Sequence, residues 1–146
     1  MKISNSDTIK YGFVGFILSF AALPLYIATP AIYQSHSNLS LATIGLILMS
    51  VRLIDAFTDP LFGRIIDRTK GHKFIFWLKP SIILLAFSIY FLLNPSNFLS
   101  NNFLVILWLS FFTLLVSISN GVALLSFQSW VASWTEISNE QNEGLI

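Results

Sequence analysis

Residues 41–73 read LATIGLILMSVRLIDAFTDPLFGRIIDRTKGHK, an apolar run long enough to enter a bilayer that carries Arg52, Asp55 and Asp59 in its middle. On an ideal helix these three sit at about 0°, 300° and 340° around the axis, so they share one face. A charged group near the bilayer centre costs at least ~2.5–3.5 kcal/mol. Three on one face must therefore pair with each other and point into protein or water. Pro60 follows Asp59 and has no amide to donate, which leaves the Ala56 carbonyl free beside the two carboxylates. Two carboxylates, a free carbonyl and a compensating arginine suit a hard monovalent cation or a proton. The same charges also suit a structural ion-pair cluster that only locks helix packing, and the residues alone leave both readings open. The stretch ends in Gly63, Arg64, Asp67, Arg68, Thr69, Lys70 and Lys73, a basic membrane exit.

The rest of the chain agrees with a membrane setting. Apolar residues make up 55% of the 146 and charged ones 10%, against the roughly one quarter of charged residues in a soluble domain. The pattern predicts an all-α membrane protein of about four transmembrane helices, over residues 11–33, 41–66, 74–93 and 103–127. The first is free of charge, and Pro24 and Pro30 should bend or end it. Gly12 and Gly15 offer close approach to a neighbouring helix. Ser40 is the expected N-cap of the second helix, Trp77 an interfacial anchor, and Asn94-Pro95-Ser96-Asn97 the break after the third. Ser117, Ser119 and Asn120 form a polar patch on the fourth, best read as hydrogen bonds to neighbouring helices. Beyond it, residues 127–134 are amphipathic enough to lie at the interface.

Charge placement predicts orientation. The connectors 34–40 and 94–102 hold no Lys or Arg, whereas 64–79 holds five, so the basic loop and both termini are expected on the cytoplasmic side of an inner or plasma membrane. A net charge of +1 with its cations at one membrane boundary gives no footing for nucleic acid. Cysteine is absent, which excludes disulfides, thiol catalysis and thiolate-bound metal. His36 and His72 fall in expected loops with no second ligand spaced near either, so no metal site is expected. No nucleophile–base pair is visible, and no enzyme activity is expected.

The run Arg52-Leu-Ile-Asp55-Ala-Phe-Thr-Asp59-Pro60-Leu-Phe-Gly63-Arg-Ile-Ile-Asp67-Arg68-Thr69 resembles the second-helix signature of the glycoside–pentoside–hexuronide:cation symporters, the melibiose-permease branch of the major facilitator superfamily. Tyr11-Gly12, the Leu23-Pro24-Leu25-Tyr26 run, and Leu39-Ser40-Leu41 with Gly45 resemble that family's first-helix and linker pattern. The likeness covers nearly the whole chain and is strongest over residues 23–69. It implies that Asp55 and Asp59 bind the coupling cation, sodium or proton, and that Arg52 is their charge partner. It also implies that Gly63, Asp67 and Arg68 belong to the cytoplasmic loop motif between helices two and three. The implied activity is cation-coupled symport of a sugar or other small solute, with no cofactor beyond the coupling ion.

The family's fold has twelve helices in two halves, so four spans would correspond to its first third. The chain is expected to be an N-terminal part whose partner is the remainder of the transporter, inserting into the bilayer but inactive alone. Three departures bear on substrate. Ser19 stands where the melibiose permease carries its first-helix sugar-binding Asp, the fourth helix has no carboxylate, and Gly71-His72-Lys73 replaces a Trp-Gly-basic element. The substrate-binding residues are therefore unassigned. Two rival readings are a small four-helix oligomeric exporter and a non-transport membrane assembly protein. The exporter would need a buried carboxylate in residues 11–33, and none is there.

Overall fold

The computed structural model describes residues 5–20, 23–37, 39–69, 73–95 and 101–143. Lys70, Gly71, His72, Ser96 and Asn97, all named above, lie outside the described residues. Five helices and no strand occur among the described residues: α1 (Asn5–Phe20), α2 (Leu23–His36), α3 (Leu41–Arg68), α4 (Lys73–Leu93) and α5 (Asn102–Glu143).

Two helices, α1 and α2, cover the stretch expected as one first span. Residues 21–22, between them, lie outside the described residues, and Pro24, expected to bend or end the span, lies within α2. Helix α3 begins as expected: Ser40 has extended backbone, and its side chain accepts from the Thr43 amide at 3.1 Å. At the other end the Thr69 hydroxyl donates to the Ile65 carbonyl at 2.9 Å and accepts from the Trp77 indole at 3.1 Å. The end of α3 is thereby tied to the start of α4. Helix α5 runs unbroken for 42 residues, through the part expected to turn amphipathic at the interface.

Among the described residues three segments are long and apolar enough to cross a membrane: Leu41–Arg68, Phe76–Leu93 and Asn102–Trp130. Most of each faces outward, since only 17%, 22% and 33% of their most apolar windows are buried inside the chain. Leu46, Phe57, Ile83 and Phe111 are among the large apolar side chains on that outer surface. Such a surface suits lipid and not water.

Helix α5 is the element against which α3 and α4 pack, with α1 touching it as well. Two apolar clusters form along it. One gathers Tyr33, Ile44, Leu85, Leu92, Leu109, Phe112 and Val116, and the other gathers Leu18, Leu78, Ala123 and Phe127. Gly15 lets α1 approach here, because a Cβ on it would stand 3.3 Å from the Phe127 ring, whereas Gly12 faces open space. Between the two clusters α5 carries Ser117, Ser119, Asn120 and Gly121. The polar patch thus fills the gap between two dry cores.

The C-terminal end of α4 shows how backbone groups are satisfied without water. Its last carbonyls have no continuing helix to accept from, and Pro95 lacks the amide that would have served Phe91. The Trp108 indole donates to the Phe91 carbonyl at 3.2 Å, and the Tyr33 hydroxyl donates to the Leu92 carbonyl at 3.0 Å. Tyr33 is 1% exposed. Tyr33→Phe keeps the ring and strands a buried carbonyl, so it is expected to lower stability by about 1–3 kcal/mol without altering ligand binding elsewhere. Denaturation of the purified protein in detergent, followed by loss of helical signal, measures it.

Candidate cation site

The buried side chains of α3 are Ile44, Val51, Asp55 and Ile66, a single stripe at helical spacing that faces α5. Asp55 occupies an apolar position on that stripe and is 7% exposed. Its carboxylate therefore needs partners from the opposing helix. Ser117 of α5 supplies one by donating its hydroxyl to Asp55 Oδ2. The Arg52 guanidinium lies 3.7 Å from the same oxygen, close enough for charge attraction and beyond hydrogen-bond length. It also lies over the Tyr26 ring of α2, 4.6 Å from the centroid, in cation–π geometry.

Asp59 sits one turn further along α3, on the rim of the stripe, and its carboxylate reaches α5 at Gly121. A Cβ at position 121 would stand 2.8 Å from Asp59 Oδ1, closer than such atoms pack. Glycine is thus what lets this carboxylate lie against the α5 backbone. The two aspartates, Arg52, Tyr26, Ser117, Asn120 and Gly121 line one cavity of about 110 Å³, closed at its apolar side by Val116 and Leu124. Pockets that hold organic ligands run to ~300–1,000 Å³, so this one has the size for an ion with a little water and not for a sugar.

Two of the residues that line the cavity carry an unsatisfied oxygen. Asp55 Oδ1 and Asn120 Oδ1 are buried, and neither has a hydrogen-bond partner among the described residues. A buried acceptor without a donor costs roughly 1–3 kcal/mol, more when charged, so two on residues lining one cavity call for a cation or a hydrogen-bond donor there. Counting formal charges, two carboxylates and one guanidinium leave the site one unit negative. A monovalent cation would bring it to neutrality. Among the described residues no group of three His, Cys, Asp or Glu converges, and the donors here are all oxygen. That donor set suits hard cations and not transition metals.

Arg52, Asp55 and Asp59, grouped above by spacing alone, lie together in the structure. Their expected solvation is uneven. The polar face is not left without cover, because α5 buries Asp55, while the Arg52 side chain stays 56% exposed and Asp59 lies at the rim. The loop-motif residues are elsewhere. Gly63 faces open space, Arg68 is exposed in the last turn of α3 where its charge complements the helix dipole, and Asp67 Oδ1 accepts from Ser129 of α5 at 3.5 Å. Of the α5 patch, Ser119 bonds back to its own helix at the Leu115 carbonyl, while Ser117 and Asn120 turn to the cavity. Sequence reading missed Asn120, Gly121 and Tyr26 as site residues. The signal available was a glycine beside polar residues in mid-span, which marks close backbone approach.

Residues 9–143 match the family described as MFS/sugar transport protein. No solved structure matches the chain.

Proposed function

This chain belongs to the MFS/sugar transport protein family and is an integral, multi-pass membrane protein of a transport class; from that premise we propose that its cavity binds the coupling cation of a solute symporter. Asp55 and Asp59 supply charge, Asn120 Oδ1 supplies a neutral oxygen, and Arg52 balances the site. The observation that carries this reading is the pair of unsatisfied buried oxygens, Asp55 Oδ1 and Asn120 Oδ1, on residues that line a cavity of ionic size. An alkali cation such as sodium is the reading taken forward, supported by the all-oxygen donor set, and a proton carried by Asp55 and donated to Asn120 Oδ1 is the outcome that the ion comparison below separates from it. The sugar or other small solute then travels on the open side of the site, where Arg52 is exposed, and further helices close that side. The signature of residues 52–69 supports placement in the melibiose-permease-like branch, and the five basic residues between 64 and 79 support a cytoplasmic position for that loop and for both termini.

Sodium binding by the purified chain in lipid nanodiscs tests the proposal. Sodium or lithium at constant ionic strength is expected to raise the unfolding temperature saturably, and choline is expected not to. Asn120→Leu, nearly the same shape, is expected to weaken sodium binding about tenfold while leaving the fold intact. Equal unfolding temperatures in sodium and choline would return the three charges to a purely structural role.

A further inference from the structure

Arg52 stands between two attractions. A guanidinium beside a carboxylate ordinarily closes to hydrogen-bond contact, often with two parallel bonds at about 2.7–2.9 Å. Arg52 does not: its nearest nitrogen is 3.7 Å from Asp55 Oδ2. The other attraction is the face of Tyr26, 4.6 Å from the guanidinium carbon to the ring centroid and well inside the ~6 Å reach of a cation–π contact. Tyr26 sits on α2 and Arg52 on α3, so the ring is fixed by an element that does not carry the carboxylates. Both side chains line the cavity wall.

The consequence falls on Asp55. With Arg52 held over the ring, Oδ2 is taken by Ser117 and Oδ1 is left without a donor. Were the guanidinium to swing in and fork onto the carboxylate, it would occupy the oxygens that the proposed cation needs. A bidentate arginine is among the strongest partners a carboxylate has, and it cannot lose its charge to make way.

We infer that Tyr26 is a positioning residue that holds Arg52 off Asp55, so that the arginine neutralises the site at a distance without competing for its oxygens. This rests on the coupling-cation reading above. The residue acts through Arg52 alone and touches no ion.

Sodium titration of the full chain in nanodiscs, read by calorimetry, separates the possibilities. Tyr26→Leu removes the aromatic face and is expected to weaken sodium binding about tenfold, with unchanged stoichiometry. Tyr26→Phe keeps the face and is expected to stay within about twofold of wild type. In an Arg52→Gln background there is no guanidinium to hold, so Tyr26→Leu is expected to have no further effect. Wild-type affinity in Tyr26→Leu, an equal loss in Tyr26→Phe, or a full loss from Tyr26→Leu in the Arg52→Gln background would each overturn the inference. Failure of the underlying cation reading looks different: wild type itself would show no saturable sodium binding, and Asp55→Asn would change nothing.

Discussion

Asp55→Asn is expected to abolish the saturable sodium binding proposed for this chain. The side chain is 7% exposed and contributes the only full charge on the buried stripe of α3 among the described residues. Removing one unit charge about 4 Å from a bound cation, at an effective dielectric of about 20, forfeits roughly 4 kcal/mol, or about a thousandfold in affinity. The fold is expected to hold. Asn still accepts from Ser117, and Arg52, being 56% exposed, keeps its hydration when its partner turns neutral. Removing a buried charge is often neutral or stabilising when no opposite charge is stranded. Sodium binding and thermal unfolding measured on the same preparation distinguish this from a structural role. A structural ion pair would show the reverse, with lower stability and no ion effect to lose.

Gly121→Ala is expected to weaken sodium binding by roughly ten- to a hundredfold while leaving the protein as stable as before, or more so. The added methyl would lie 2.8 Å from Asp59 Oδ1, and something must move. What moves is the end of a side chain at an exposed rim, so the displacement is easy and takes the carboxylate out of the cavity. Alanine in place of glycine inside a helix otherwise contributes about 0.8–1 kcal/mol of stability. In an Asp59→Asn background the same substitution is expected to add little, since the displaced group no longer carries charge. Two singles and the double, assayed for sodium affinity, complete the cycle. Full additivity would show that Gly121 serves the packing of α5 and not the position of Asp59.

Local spacing made half of the site visible. Arg52, Asp55 and Asp59 share a face because 3.6 residues per turn puts them there, and any helix through residues 52–59 would do the same. Ser40 was readable for a similar reason, since an N-cap is a bond across three residues. Asn120 and Gly121 were not readable as ligand and clearance. Their roles depend on which side of α5 meets α3 some sixty residues earlier in the chain, as the Ser117–Asp55 bond does. No periodicity carries that information, and a polar patch with a glycine has many uses. Tyr26 was hidden in the same way, one tyrosine in an apolar run until α2 packs beside α3.

The way α4 ends bears on how the chain is built. Synthesis runs from the N-terminus, so the Tyr33 hydroxyl already exists when α4 leaves the ribosome, whereas the Trp108 indole arrives seventeen residues after the carbonyl it serves. Leu92 can therefore be anchored at once, while Phe91, with Pro95 behind it, must keep its carbonyl in contact with water or headgroups until the first turns of α5 have formed. The C-terminal end of α4 thus takes one partner from a residue made before it and one from a residue made after, so the helix that organises the finished bundle also completes the helix made before it.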